Sequence, residues 1–79
     1  MNKMYVILAT GQDYFLAPCA IINSTCETEV IEMVKRNNPR AARNYRLAVE
    51  RIYDADELEY YMNNGAIVCE YEKELMEAF

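Results

Sequence analysis

The side chains that most often do chemistry are sparse in this chain. Its 79 residues include no histidine, which removes the commonest general base near neutral pH and the commonest zinc ligand. The nucleophiles on offer are the thiols of Cys19, Cys26 and Cys69. A thiol reacts as its thiolate, which needs a neighbouring cation or a helix N-terminus to form readily. Cys19 follows Pro18, where a bend in the chain would expose it, but no cation adjoins it in sequence. Cys26 falls in an expected first helical turn, yet it lies on that helix's apolar stripe, which predicts burial. The cysteine count is odd and no pair has C-x-x-C spacing. All three are therefore expected to be buried thiols acting as small hydrophobes in a reducing compartment. No Walker, Rossmann or nucleophile-elbow motif occurs, and two glycines leave little scope for a phosphate-cradling loop. The expectation is a non-enzymatic chain with no catalytic residue, no metal and no cofactor.

Charge is the more informative chemistry, because it is segregated along the chain. Residues 1–34 set Lys3 against Asp13, Glu27, Glu29 and Glu32. Residues 35–51 carry Lys35, Arg36, Arg40, Arg43, Arg46 and Arg51 against Glu50 alone. Residues 52–79 then set Lys73 against eight carboxylates. Segregation of this kind governs association rather than fold. The basic stretch interleaves arginines with Asn37, Asn38, Asn44 and Tyr45, a composition suited to phosphate contacts and base stacking. The net charge of −5 weighs against nucleic acid as the main partner, since phosphate affinity rests on cationic side chains displacing counterions. Asp54, Asp56, Glu57 and Glu59 are oxygen-rich but lack the spacing and turn glycine of a calcium loop. Helix capping and the helix dipole account for them instead. Tyr60 and Tyr61 cannot both face the core from one helix. At least one is expected on the surface amid Glu57 and Glu59, and exposed tyrosine is enriched at binding hot spots.

The elements that would position these groups follow from periodicity and turn chemistry. The chain is 53% hydrophobic, too apolar for disorder, and its length predicts a single domain, residues 1–79. Met4 to Ala9 is apolar on both alternating faces, as in a strand covered on both sides. At six residues it is too short to cross a membrane and lacks the cleavage site of a signal peptide, so a cytoplasmic protein is expected. Tyr14 to Ile22 reads as a second strand, at an edge or bent at Pro18, which cannot donate to a ladder. Ser24-Thr25-Cys26-Glu27 matches a capping box, and Cys26, Val30, Met33 and Val34 form one apolar stripe ending at Asn37-Asn38-Pro39. Residues 40–53 fit either period; the fresh helix start at Asp54 favours a strand over 45–53. A second helix carries Ala55, Leu58, Tyr61 and Met62, and stops at Gly65. Residues 66–71 complete the strands, with Ile67, Cys69 and Tyr71 on one face. Residues 72–79 prolong that strand or form a short helix on Leu75, Met76 and Phe79. The order β-β-α-β-α-β predicts an α+β fold: a four-stranded, mainly antiparallel sheet with two helices on one face. Its exposed edges make a homodimer an expectation as well.

These readings converge on a protein-binding surface formed by Asp56, Glu57, Glu59, Tyr60, Glu70, Glu72 and Glu74, gathered on one side and facing a basic site on a larger protein or nucleoprotein complex. In size, acidity and absence of motif the chain resembles the small inhibitors that phages encode against host defence, anti-CRISPR proteins among them. That resemblance implies an inhibitor, in some members one that imitates nucleic-acid charge to occupy a positively charged channel. It rests on no specific motif and brings over no residue. Two other readings stand beside it. One is a small nucleic-acid-binding module working through Arg40, Arg43, Tyr45, Arg46 and Arg51. The other is a homodimer holding a small ligand between its tyrosine-rich sheets.

Overall fold

A computed structural model describes Met1–Phe79 and shows an α+β fold. Its elements are β1 (Lys3–Thr10), β2 (Ala17–Ser24), α1 (Glu27–Asn37), α2 (Pro39–Asn44), β3 (Arg46–Ile52), α3 (Ala55–Asn63), β4 (Ile67–Cys69) and a 3₁₀ helix (Glu72–Glu77). The sheet order is β3-β1-β2-β4. As its apolar run predicts, β1 is central, with Tyr5 through Ala9 buried on both faces. It pairs antiparallel with β2 and β3.

Two expectations about the sheet are corrected. It is mixed rather than mainly antiparallel, because β4 runs parallel to β2. Its helices also do not share a face. Val30 and Val34 of α1 join Tyr5, Ile7, Ala20, Ile22, Cys69 and Leu75 on one side. Leu58 and Tyr61 of α3 pack against Val6, Leu8, Ile21, Ile52 and Ala66 on the other. Both corrections have one cause. A helical crossover returns the chain to the starting end, so β2, β3 and β4 all run in one direction. The crossover from β2 to β3 and that from β3 to β4 travel in opposite lateral directions. Keeping one handedness for both, as the right-handed rule for such units demands, puts their helices on opposite faces.

Local chemistry sets most element ends. Asp54 Oδ1 accepts the Glu57 amide at 2.9 Å, and a Glu57 carboxylate oxygen accepts the Tyr53 amide at 2.9 Å. Together they start α3 as its sequence predicts, and Gly65 at φ +106° ends it. The helix over 27–37 forms, but not through the predicted capping box. Ser24 is instead the buried last residue of β2, its hydroxyl donating to the Cys26 carbonyl at 3.3 Å. Cys26 becomes the N-cap. Residues 40–53 hold both periods in turn, α2 and then β3. Pro18 sits at an irregularity, as the bend read from the sequence requires: the β1 register passes from Ala20 opposite Ile7 to Pro18 opposite Leu8, and β4 reaches only Ala20–Ile22, so the outer side of β2 at Pro18 has no strand partner. Cys19 is the extra residue of that bulge. β2 begins only at Ala17; Tyr14, Phe15 and Leu16 lie exposed before it. In β4, Ile67 and Val68 are half exposed, and Cys69 alone turns inward. The 3₁₀ helix buries Leu75 completely, whereas Met76 faces solvent.

Candidate protein-interaction surface

The seven residues expected to form one acidic surface are divided by the sheet. Asp56, Glu57, Glu59 and Tyr60 lie on α3, over the Val6–Leu8–Ile21 face. Glu72 and Glu74 belong to the 3₁₀ helix, which packs with α1 on the opposite face, and Glu70 lies two residues before it. A single acidic patch across residues 54–77 is therefore not what this chain builds. The cause is the second crossover, which carries the chain from one edge of the sheet, over one face, to the other edge before the last carboxylates are placed.

The two halves also differ in what their carboxylates do. Glu72 accepts hydrogen bonds from Arg36 Nε at 2.6 Å and Nη2 at 3.1 Å, and from Asn37 Nδ2 at 2.6 Å. Those bonds hold its carboxyl below the usual carboxylate range, with Arg36 the leading cause. Arg36 Nη2 also donates to Glu29 at 3.0 Å, and both carboxylates push its guanidinium further into the protonated form. Glu74 Oε1 accepts the amides of Glu70 and Tyr71 at 3.1 and 2.8 Å, which fixes the turn into the 3₁₀ helix. Glu72 and Glu74 are thus occupied with the fold, whereas the exposed carboxylates of Glu70 and Glu77 make no hydrogen bond or ion pair. Lys73 lies 6.0 Å from the Tyr71 ring and further offsets this side.

The α3 side has no such compensation. The molecule's ion pairs are Lys35–Glu32, Arg36–Glu29 and Arg36–Glu72, and none reaches α3. Asp54 and Glu57 cap the helix, but Asp56 and Glu59 are exposed and make no side-chain hydrogen bond. Positions 56, 59, 60 and 63 share the outward stripe of a 3.6-residue period. Tyr60 is 61% exposed on that stripe, its ring held edge-on to Tyr61 at 5.3 Å. Tyr61 is half-buried, and burial, followed by Glu50 and Glu57, pushes its phenol pKa upward. One of the two rings faces solvent, as helical spacing predicts, and it is Tyr60. Because α3 buries no residue completely, nearly all of this helix is surface.

The basic set is likewise dispersed. Arg40 and Arg43 are exposed on α2. Arg46 and Arg51 open and nearly close β3, and as an even- and an odd-numbered residue of one strand they point to opposite faces. Arg51 stacks on Tyr53 at 4.7 Å. Tyr45 is not free for stacking on a base. Its ring lies between Tyr14 at 6.3 Å and Phe79 at 6.5 Å, and packs so closely on Gly11 that a Cβ there would sit 2.8 Å from Tyr45 Cδ1.

The thiols fall in a different order from the one the sequence suggests. Cys26, expected to be buried, is exposed, whereas Cys19, at the bend expected to expose it, is only partly so. Burial raises the Cys19 pKa, partly offset by a backbone hydrogen bond involving Ala9. Cys69 is buried as expected, and burial and then Glu74 raise its pKa. One feature escaped the sequence argument. A cleft of about 280 Å³ lies at one end of the sheet, walled by Tyr14, Tyr45, Phe79, Pro18 and Cys19. Its walls come from four separate segments, and no local pattern could have assembled them. No three His, Cys, Asp or Glu side chains converge as a metal site would require, and no helix is long and apolar enough to cross a membrane. No protein-family model, curated protein or solved structure matches the chain.

Proposed function

We propose that this chain is a non-enzymatic, cytoplasmic protein-binding inhibitor that lays the outward face of α3 against a basic site on a larger, nucleic-acid-handling partner. The observation that carries the reading is the uncompensated charge of α3. Its carboxylates have no cation within ion-pair distance, whereas on the opposite side Glu29, Glu32 and Glu72 do and Lys73 stands among the unpaired Glu70, Glu74 and Glu77. A partner's lysines and arginines would find free charge at Asp56 and Glu59, beside the exposed ring of Tyr60. Charge of this sort steers the encounter, and the tyrosine supplies contact area at small entropic cost. The surface is thus smaller than the one read from the sequence: Asp56, Glu57, Glu59 and Tyr60 remain in it, and Glu70, Glu72 and Glu74 leave it.

The test is affinity capture from the source cell, or from its host if the gene is viral, with three tagged proteins. These are wild type, Asp56→Lys/Glu59→Lys, and the control Arg40→Glu/Arg43→Glu. The proposal expects a protein retained by wild type and by the control, lost from the α3 variant, and released by moderate salt. Equal retention by the α3 variant refutes it.

A further inference from the structure

β3 is the longer of the two outer strands, seven residues against three in β4. It pairs only with β1, so every backbone amide and carbonyl on its outer side lacks a strand partner. Such an edge is a template for another strand unless its side chains repel one. The side chains of β3 do not repel a copy of themselves. Its register with β1 places Arg46, Ala48 and Glu50 on the α3 face, and Leu47 and Val49 on the α1 face. Arg46 and Glu50 are exposed and neither belongs to an ion pair. Leu47, Ala48 and Val49, although mid-strand, are only half-buried.

We infer that two copies of this chain pair antiparallel through β3, about a twofold axis at Ala48, to form one continuous eight-stranded sheet. Residues opposite each other in an antiparallel pair lie on the same face. An axis normal to the sheet must therefore pass through a residue position, and few registers are available. With the axis at Ala48, Arg46 of each copy faces Glu50 of the other, and Leu47 faces Val49. Arg46 and Glu50 find opposite partners, and two pairs of partly buried apolar side chains cover each other. An axis at Val49 sets Glu50 against Ala48 and Arg46 against Ile52. An axis at Glu50 brings the two glutamates together, which is destabilising. An axis at Leu47 leaves Arg46 opposite Ala48. Only the Ala48 register pairs both charged residues of the α3 face, and it sets the third charge of the strand, Arg51 on the other face, opposite Tyr45 and away from another cation. It also places both α3 helices on the same side of the joined sheet, so each assembly would present two acidic faces.

The test is sedimentation velocity over a wide concentration range, in reducing buffer so that the exposed Cys26 forms no disulfide. Wild type should show a reversible monomer–dimer equilibrium. Glu50→Arg turns two attractive cross-strand pairs into two repulsive ones and should weaken the dimer roughly thirtyfold. The charge swap Arg46→Glu/Glu50→Arg should restore it. Arg46→Glu serves in place of Glu50→Arg if circular dichroism shows that the latter has lost its fold. A wild type that stays monomeric throughout overturns the inference. So does a dimer indifferent to Glu50→Arg, or a double swap no tighter than the single variant.

Discussion

Asn38 ties together three elements through one side chain, and its removal gives a stability loss that can be worked from the bonds it makes. Its Oδ1 accepts the Ala41 amide at 3.1 Å, capping α2. Its Nδ2 donates to the carbonyls of Leu75 at 3.2 Å and Met76 at 3.3 Å, fastening the 3₁₀ helix to the junction of α1 and α2. Asn38→Ala removes all three. The lost cap costs about 1 kcal/mol. The Leu75 carbonyl keeps the Ala78 amide at 3.4 Å, and the Met76 bond is solvent-exposed. Each of those two bonds is therefore placed at the low end of the usual range, about 0.5 kcal/mol. The sum is about 2 kcal/mol, which for a domain of this size lowers Tm by roughly 8–16 °C. Urea and thermal denaturation followed by circular dichroism would measure it. Asn38→Asp keeps the capping oxygen but loses the donor, so it should recover about half of the loss. An Asn38→Ala effect below about 0.5 kcal/mol, or an equal effect from Asn38→Asp, would refute this partition.

Other consequences follow from the same structure. Leu75 is fully buried and Met76 is 62% exposed, so Leu75→Ala should cost about 3–4 kcal/mol and Met76→Ala less than about 0.5 in the same assay. The depressed pKa of Glu72 means that the folded state binds its proton less readily than the unfolded state does. Its contribution is therefore complete above the ordinary carboxylate range and disappears as pH falls through the lowered folded value. Glu72→Gln should accordingly reduce stability at neutral pH and flatten the acid limb of the Tm–pH curve. A limb of unchanged slope would remove the Arg36–Glu72 pair from the account. Iodoacetamide on the native protein near neutral pH should alkylate Cys26 first and Cys19 slowly, and reach Cys69 only on unfolding. Peptide mapping showing Cys69 modified early would contradict the burial described for it.

Elements governed by neighbours in sequence were legible before the fold was known. Asp54 with Glu57 announces the start of α3, Gly65 its end, Asn37-Asn38-Pro39 the end of α1, and the apolar run of β1 its central place. Where two local signals competed, each won part of the segment: Pro39 began a helix of six residues, and alternation took over at Arg46. What could not be read is whatever depends on lateral order. The assignment of α1 and α3 to opposite faces follows from crossover handedness, but only once β1 and β2 are known to lie between β3 and β4. The same information separates Glu59 from Glu72, and the Arg36–Glu72 bond joins residues 36 positions apart. The exposure of one tyrosine on α3 was legible from helical spacing alone. The withdrawal of Glu72 and Glu74 from the site was not.

The central claim is that α3, with Asp56 and Glu59 beside the exposed Tyr60, is the face a basic ligand engages first, ahead of the 3₁₀ helix, where Glu72 and Glu74 are engaged with the fold. A ¹⁵N–¹H correlation spectrum recorded while a short poly-lysine peptide is titrated into the protein tests this without knowledge of any partner. Salt-sensitive shifts are expected to concentrate on the amides of residues 54–63, with those of residues 70–77 little changed. Shifts centred on Glu70–Glu77, or spread evenly over both faces of the sheet, would contradict it.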